Sequence, residues 1–266
     1  MIHLFALLSL LLCGVCYTGF QNSSHFHNTS NRRSLLLLVF GGALLLRLLL
    51  AYTTHGFSND IACFAAWADR IFTLGPGQFY SAEMFTDYPP GFMYVLYLIG
   101  ALRSLLQIPY YSDLHILLLK SPAILCDIAC GLLLYREAVK RLHFSDLQGI
   151  FAASAYLFQP AVILNSSCWG QVDSVYTLMI ILMCLFLMKG NLLPAYAVYG
   201  LGVLLKPQML IFTPVLLAGI WDHVFLQDFS WRKFFYNLCG GLVVICGMLL
   251  PVSYTHLRAH ETGRNL

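Results

Sequence analysis

The chain has 266 residues, of which 59% are hydrophobic and 10% charged, and its mean hydropathy is +0.74. These values exclude a soluble globular domain and a disordered chain, and they place the protein among integral membrane proteins. The formal net charge of +3 comes from short basic clusters at the ends of apolar runs, which is how topology is encoded; a face that tracks nucleic acid is excluded as well.

At ~20 residues per span the apolar material suffices for about six to eight membrane segments in an all-α polytopic bundle. Residues 2–20 form the first run, without the positive n-region of a secretory signal. With the polar patch that follows they make a segment, 1–33, that reads as an addition to the membrane domain proper. Arg32 and Arg33 precede the next run, 34–51, and put its start on the cytoplasmic side. Nine cysteines suggest no disulfide framework: Cys126, Cys130, Cys184, Cys239 and Cys246 lie in apolar runs, where cysteine packs as a small hydrophobe. Cys13 and Cys16 have redox spacing but no basic neighbour to activate a thiol.

Residues 56–92 follow, a polar loop on the outer side with four carboxylates, Asp60, Asp69, Glu83 and Asp87, against one base, Arg70. Connections between bundle helices usually run ~2–8 residues, so this loop is the expected place for soluble chemistry. Ser58, Asn59 and Asp60 offer caps to an amphipathic surface helix over 61–74, with Ile61, Phe64, Ala65, Ala68 and Phe72 on its apolar stripe. Gly75-Pro76-Gly77 stops that helix, and Asp87-Tyr88-Pro89-Pro90 makes a rigid extended turn.

Further apolar runs cover 91–108, 114–135, 147–164, 174–188, 192–205, 208–221 and 234–250. Arg136, Lys140 and Arg141 mark the inner side, as do Arg232 and Lys233. Loop outside and Arg136 cluster inside cannot both hold if 91–108 and 114–135 each cross, so 91–108, with Arg103, is read as re-entrant or superficial. The turn 165–173 is then outside, and Lys206-Pro207 splits a long run into two short helices. The stretch 252–266 turns abruptly polar and reads as a non-native tail, with C-terminal helices missing beyond 251; a natural polar terminus is the other reading. Asn22, Asn28 and Asn165 match a glycosylation sequon.

The candidate site residues each have a plainer alternative. Asp60 is either a helix cap or a carboxylate that takes a proton from an acceptor hydroxyl. Asp87 starts the proline turn or positions substrate, with Tyr88 beside it. Trp169 belongs to the interfacial belt or stacks on a sugar, with Gln171 and Asp173 adding hydrogen-bonding groups. Lys206, next to Gln208 across the proline, costs ~2.5–3.5 kcal/mol if central in the bilayer; it either snorkels or meets an anionic lipid phosphate. Lys120 and Asp127, two turns apart in one run, could share a face; an intramembrane pair there is either functional, with Lys120 as a substrate-binding group, or only structural. The clustered carboxylates leave room for a divalent metal, although spacing alone supplies no converging ligand set.

Four segments in order, DYPPG at 87–91, LLKSPAILCDIACG at 118–131, NSSCWGQVDS at 165–174 and LLKPQ at 204–208, resemble the polyprenyl-phosphate-sugar-dependent glycosyltransferases of the GT-C superfamily. The likeness is greatest to bacterial relatives of the mannosyltransferase that builds the GPI anchor, and it covers 34–251. It implies a multi-pass protein of the bacterial cell membrane, a polyprenyl-phosphate mannose donor, and inverting transfer to a glycan or glycolipid acceptor. It also implies Asp60 as base and Lys206 facing the donor phosphate. A lipid-sugar transporter or flippase is the rival; paired broken helices would mark it, and the sequence offers one such break.

Overall fold

A computed structural model of the chain describes residues 32–80 and 85–222, with shorter described pieces within 10–19 and 230–247. Glu83, Cys13, Cys16, the sequons at Asn22 and Asn28, and the stretch 252–266 lie outside the described residues. Among the described residues the protein is all-α, with no strand. The elements are α1 (Arg32–Thr53), α2 (Ser58–Leu74), α3 (Pro90–Leu105), α4 (Asp113–Lys140), α5 (Asp146–Leu157), α6 (Asp173–Met188), α7 (Leu192–Leu205) and α8 (Thr213–Trp221). Two of them, α1 and α4, are long and apolar enough to cross a membrane, and α5 with Pro160–Trp169 makes a third, bent candidate. The chain divides into two compact units, one of Met1–Ala62 with Tyr111–Val175, the other of Cys63–Tyr110 with Tyr176–Leu266.

The first unit is built on α1, α4 and α5. Ala43 of α1, Tyr135 of α4 and Ile150, Ala153 and Leu157 of α5 form its buried core, while Leu37, Leu38, Leu45 and Leu49 of α1 stay exposed. An apolar helix face turned away from its own core is what lipid requires. Arg32 pairs with Asp146 at 3.1 Å at one end of this unit, and His55 meets Asp113 at 3.6 Å at the other. Helix α4, 28 residues and so roughly 42 Å long, therefore runs antiparallel to α1. Because α1 ends and α4 begins at the same end, the chain between them leaves and returns there. Helix α3, 16 residues or roughly 24 Å, is short for a straight span.

The apolar run 147–164 does not form one helix as expected. Pro160 has no amide to donate and disfavours helical geometry at Gln159. Helix α5 accordingly ends at Leu157, and the chain resumes with a 51° bend as Pro160–Ile163. A π-helical turn follows, Leu164–Trp169, closed by Gly170 in the left-handed conformation (φ 87°).

In the second unit Met183, Leu187, Leu192, Ala195, Tyr196, Met209 and Leu216 form the core between α6, α7 and α8. The expected break at Lys206-Pro207 is present, as a 3-10 turn Pro207–Phe212. The stripe of α2 is as expected: Ile61, Phe64, Ala65 and Ala68 are buried, as are Trp67 and Ile71, whereas Phe72 is only half-buried. The helix stops at Leu74, and Pro90 opens α3 from an extended Pro89 (φ −68°, ψ 165°).

Candidate functional site

In the first unit the end that carries His55 and Asp113 also carries a compact polar group. Helix α2 begins at Ser58, so Asp60 stands in its first turn and is not the cap; the carboxylate suits the positive end of the helix dipole there. The indole Nε1 of Trp169 donates to Asp60 Oδ2 at 3.1 Å, and Gln171 Nε2 donates to the same oxygen. Oδ1 accepts no hydrogen bond among the described residues. With its N–H edge fixed, the indole remains 51% exposed, and the ring of Phe57 lies against it at 5.3 Å between centroids.

Two glycines make this arrangement possible. The amide of Phe57 donates to Trp169 O at 2.8 Å, which requires the backbone on both sides to turn in the left-handed region, at Gly56 (φ 79°) and Gly170 (φ 87°). A Cβ on Gly56 would sit 2.7 Å from Trp169 O, and one on Gly170 would sit 2.6 Å from Ile61 Cδ1. Glycine relieves both the φ penalty and the overlap.

Lys120 lies directly behind. Its ammonium is fully buried and donates to Thr54 O at 2.6 Å, Thr54 Oγ1 at 3.1 Å and Ala51 O at 3.2 Å. An ammonium has three donors, so all are used on the free carbonyls at the C-terminus of α1, where positive charge is favoured.

The expected Lys120–Asp127 pair does not form. Asp127 takes Arg47 Nε at 3.0 Å and Ser166 Oγ at 2.6 Å on Oδ2, and Tyr156 OH at 3.2 Å and Ser174 Oγ at 2.5 Å on Oδ1. Arg47 is also fully buried; its Nη2 donates to Leu157 O at 2.7 Å, the carbonyl left over by the break before Pro160. Two charges compensate each other here, and four hydrogen bonds satisfy the carboxylate, which is what an intramembrane ion pair needs to persist. A lone arginine in the leucine run 44–50 was the available signal for this network.

Asp173 accepts from Asn165 Nδ2 at 2.9 Å. The sequon at Asn165 is thereby closed off: Ser166 and Ser167 are fully buried, and the asparagine amide is engaged within the turn.

The remaining expected residues belong to the second unit. Lys206 is 9% exposed, and its ammonium lies 5.7 Å from the ring centroids of both Tyr88 and Tyr176, within reach of cation–π attraction. Tyr88 packs with Phe64, Trp67 and Phe92, and its carbonyl accepts from Tyr80 OH at 3.0 Å. Burial, with Tyr94 adding to it, pushes the Tyr80 phenol well above the usual range, so that donor keeps its proton. Asp87 and Gln208 are exposed. Asp69 pairs with Arg103.

The described carboxylates do not converge. Among the described residues no three of His, Cys, Asp and Glu gather where an ion could sit. No disulfide joins the seven described cysteines.

Phe57, Tyr176 and Arg47 were not singled out from sequence. The first two are ordinary aromatics whose roles depend on long-range packing.

No curated protein matches the chain. The family of the GPI transamidase subunit PIG-U matches residues 34–262. The expected link to GPI-anchor biology therefore holds, while the match is to a transamidase subunit and not to a mannosyltransferase. An all-α, multi-pass membrane protein, the chain belongs to the family of the GPI transamidase subunit PIG-U.

Proposed function

We propose that this subunit holds the glycolipid for a transamidase, with Asp60, Trp169 and Gln171 as a sugar-binding platform. The observation that carries the reading is the half-used carboxylate. Asp60 Oδ2 is tied to the indole and the amide, Oδ1 is open, and the exposed indole face stands beside it. A sugar offers hydroxyl donors to the oxygen and an apolar C–H face to the ring, so both surfaces are used. Phe57 widens the aromatic floor. In the second unit, taken by itself, Lys206 lies between two tyrosine rings and is proposed separately as a group for an anionic lipid phosphate, with Tyr88, Asp87 and Gln208 of the same unit as further candidates. Lys120 and Asp173 support the platform from within and are not assigned contact with the ligand.

The basic end of the first unit, with Arg32, Arg136, Lys140 and Arg141, is proposed to face the cytoplasm by the positive-inside rule. The platform then faces the opposite side. The compartment consistent with the family is the endoplasmic-reticulum membrane in place of a bacterial cell membrane, and the partners are the other transamidase subunits.

The second reading is glycosyl transfer from polyprenyl-phosphate mannose, with Asp60 as base. The open Oδ1 favours it, because a base needs an acceptor hydroxyl at ~2.6–3.2 Å.

The test uses the assembled transamidase in nanodiscs with either a synthetic GPI glycolipid or phosphatidylinositol lacking the glycan. Binding should prefer the glycolipid, and Trp169→Ala should weaken it about three- to tenfold, the worth of an aromatic contact. Equal binding of the two lipids, unmoved by Trp169→Ala, would remove the platform. Release of polyprenyl phosphate from polyprenyl-phosphate mannose, abolished by Asp60→Asn, would establish transfer in its place.

A further inference from the structure

We infer that Asp127 is a positioning residue for the platform, acting through two serines that bracket it. The inference rests on the platform reading only for its consequence in binding; the geometry stands apart from it. Asp127 is fully buried on α4. Its two carboxylate oxygens take one serine each: Oδ2 accepts from Ser166 Oγ at 2.6 Å, and Oδ1 accepts from Ser174 Oγ at 2.5 Å. Those serines stand four residues before and four residues after Gly170, so one carboxylate ties down both ends of the segment that presents Trp169 and Gln171.

The segment needs such a tie. It leaves α5 through a 51° bend, passes through a π-helical turn and reverses at a left-handed glycine, none of which provides the regular backbone ladder that would hold a side chain in one direction. π-Helical turns recur where function asks for an unusual backbone. Arg47 completes the device: its Nε holds Asp127 Oδ2, and its Nη2 holds Leu157 O at the upstream edge of the bend. The Asn165–Asp173 hydrogen bond, at 2.9 Å, joins the residues immediately before each serine and closes the same loop. The aim of both donors at Asp60 Oδ2 is set by this clasp. Charge-assisted hydrogen bonds in a dry interior are short and directional, which suits them to fixing a loop to within a fraction of an ångström.

The experiment labels the full chain, in the assembled complex, with 5-fluorotryptophan and reads each indole by fluorine NMR, with Trp169→Phe assigning the reporter. Ser174→Ala cuts one tether and Ser166→Ala the other, without stranding the arginine. Each should shift or broaden the Trp169 resonance while the Trp67 resonance, in the other unit, stays in place. Synthetic GPI glycolipid should bind about tenfold more weakly, as for loss of one hydrogen bond to a charged group. A Trp169 resonance at its wild-type position in both serine variants would overturn the inference. So would equal movement of the Trp67 resonance, since that reports general loosening. Failure of the wild-type complex to bind the glycolipid would count against the platform alone, leaving the Trp169 resonance to judge the clasp.

Discussion

Two carboxylates in the same unit, Asp127 and Asp60, are held by hydrogen bonds from the same stretch of chain, and they are used differently. Asp127 is fully buried, accepts from four side chains and faces a guanidinium. Asp60 is half-buried and accepts from two neutral donors on a single oxygen, leaving the other open. A carboxylate whose acceptor capacity is filled can only hold structure. One half filled, at an exposed end beside an exposed indole, still has a bond to offer. Residue type and burial class alone would not separate these roles; the count of donors on each oxygen does.

The comparison is most severely strained at Asp127. Asp127→Ala leaves Arg47 buried without its counter-charge, and ~3–5 kcal/mol of stability should be lost. Thermal unfolding in detergent would read this, with Arg47→Met together with Asp127→Leu less damaging than either change alone. If Asp127→Ala unfolds at the wild-type temperature, the cluster is not the structural one of the two.

Gly170→Ala comes next. It forces a side chain into left-handed backbone against Ile61, and ~1–2 kcal/mol should be lost. A gain in stability by the same assay would mean that the turn relaxes and that the platform is not built as described.

Asp60→Asn sharpens the contrast. The asparagine oxygen still accepts from Trp169 and Gln171, so stability should change by less than ~1 kcal/mol, while glycolipid affinity in nanodiscs falls. A loss of turnover on polyprenyl-phosphate mannose of about 10²–10⁴ would identify Asp60 as a base and not as a binding group. The smallest effect is expected at Asp113→Asn, whose contact with His55 is largely exposed and worth ~0–1 kcal/mol. A larger change there would mean that this end of the unit is less open than its exposure implies.

What the sequence disclosed follows from how local each feature is. The helix break at Lys206-Pro207, the stop at Gly75 and the start of α3 at Pro90 are written in single residues that forbid or favour a conformation by themselves. Pro160 carries the same message, but within the apolar run 147–164 hydrophobicity alone reads as one unbroken span. The meeting of Asp60 with Trp169 and Gln171, more than a hundred residues apart, is legible as residue types suited to a sugar and not as a contact. Arg47 shows the limit most sharply. One charge among leucines announces an expensive placement, yet the nearest candidate acid in sequence, Asp60, was not its partner, and the short-range pairing of Lys120 with Asp127 looked more natural than the bond that forms. Long-range packing decided between them.

Arg47 and Asp127 are separated by 80 positions, which also sets an order of events during synthesis. At about 5–20 residues per second, roughly 4–16 s pass between the two residues leaving the ribosome. Throughout that interval α1 carries an arginine whose burial in lipid costs ~2.5–3.5 kcal/mol on insertion scales. Helix α1 therefore enters the bilayer at a deficit that only the arrival of α4 removes, and until then it is best kept beside the insertion machinery. A chain interrupted before Asp127 would display α1 as an orphaned, charged helix, the form that membrane quality control is suited to recognise.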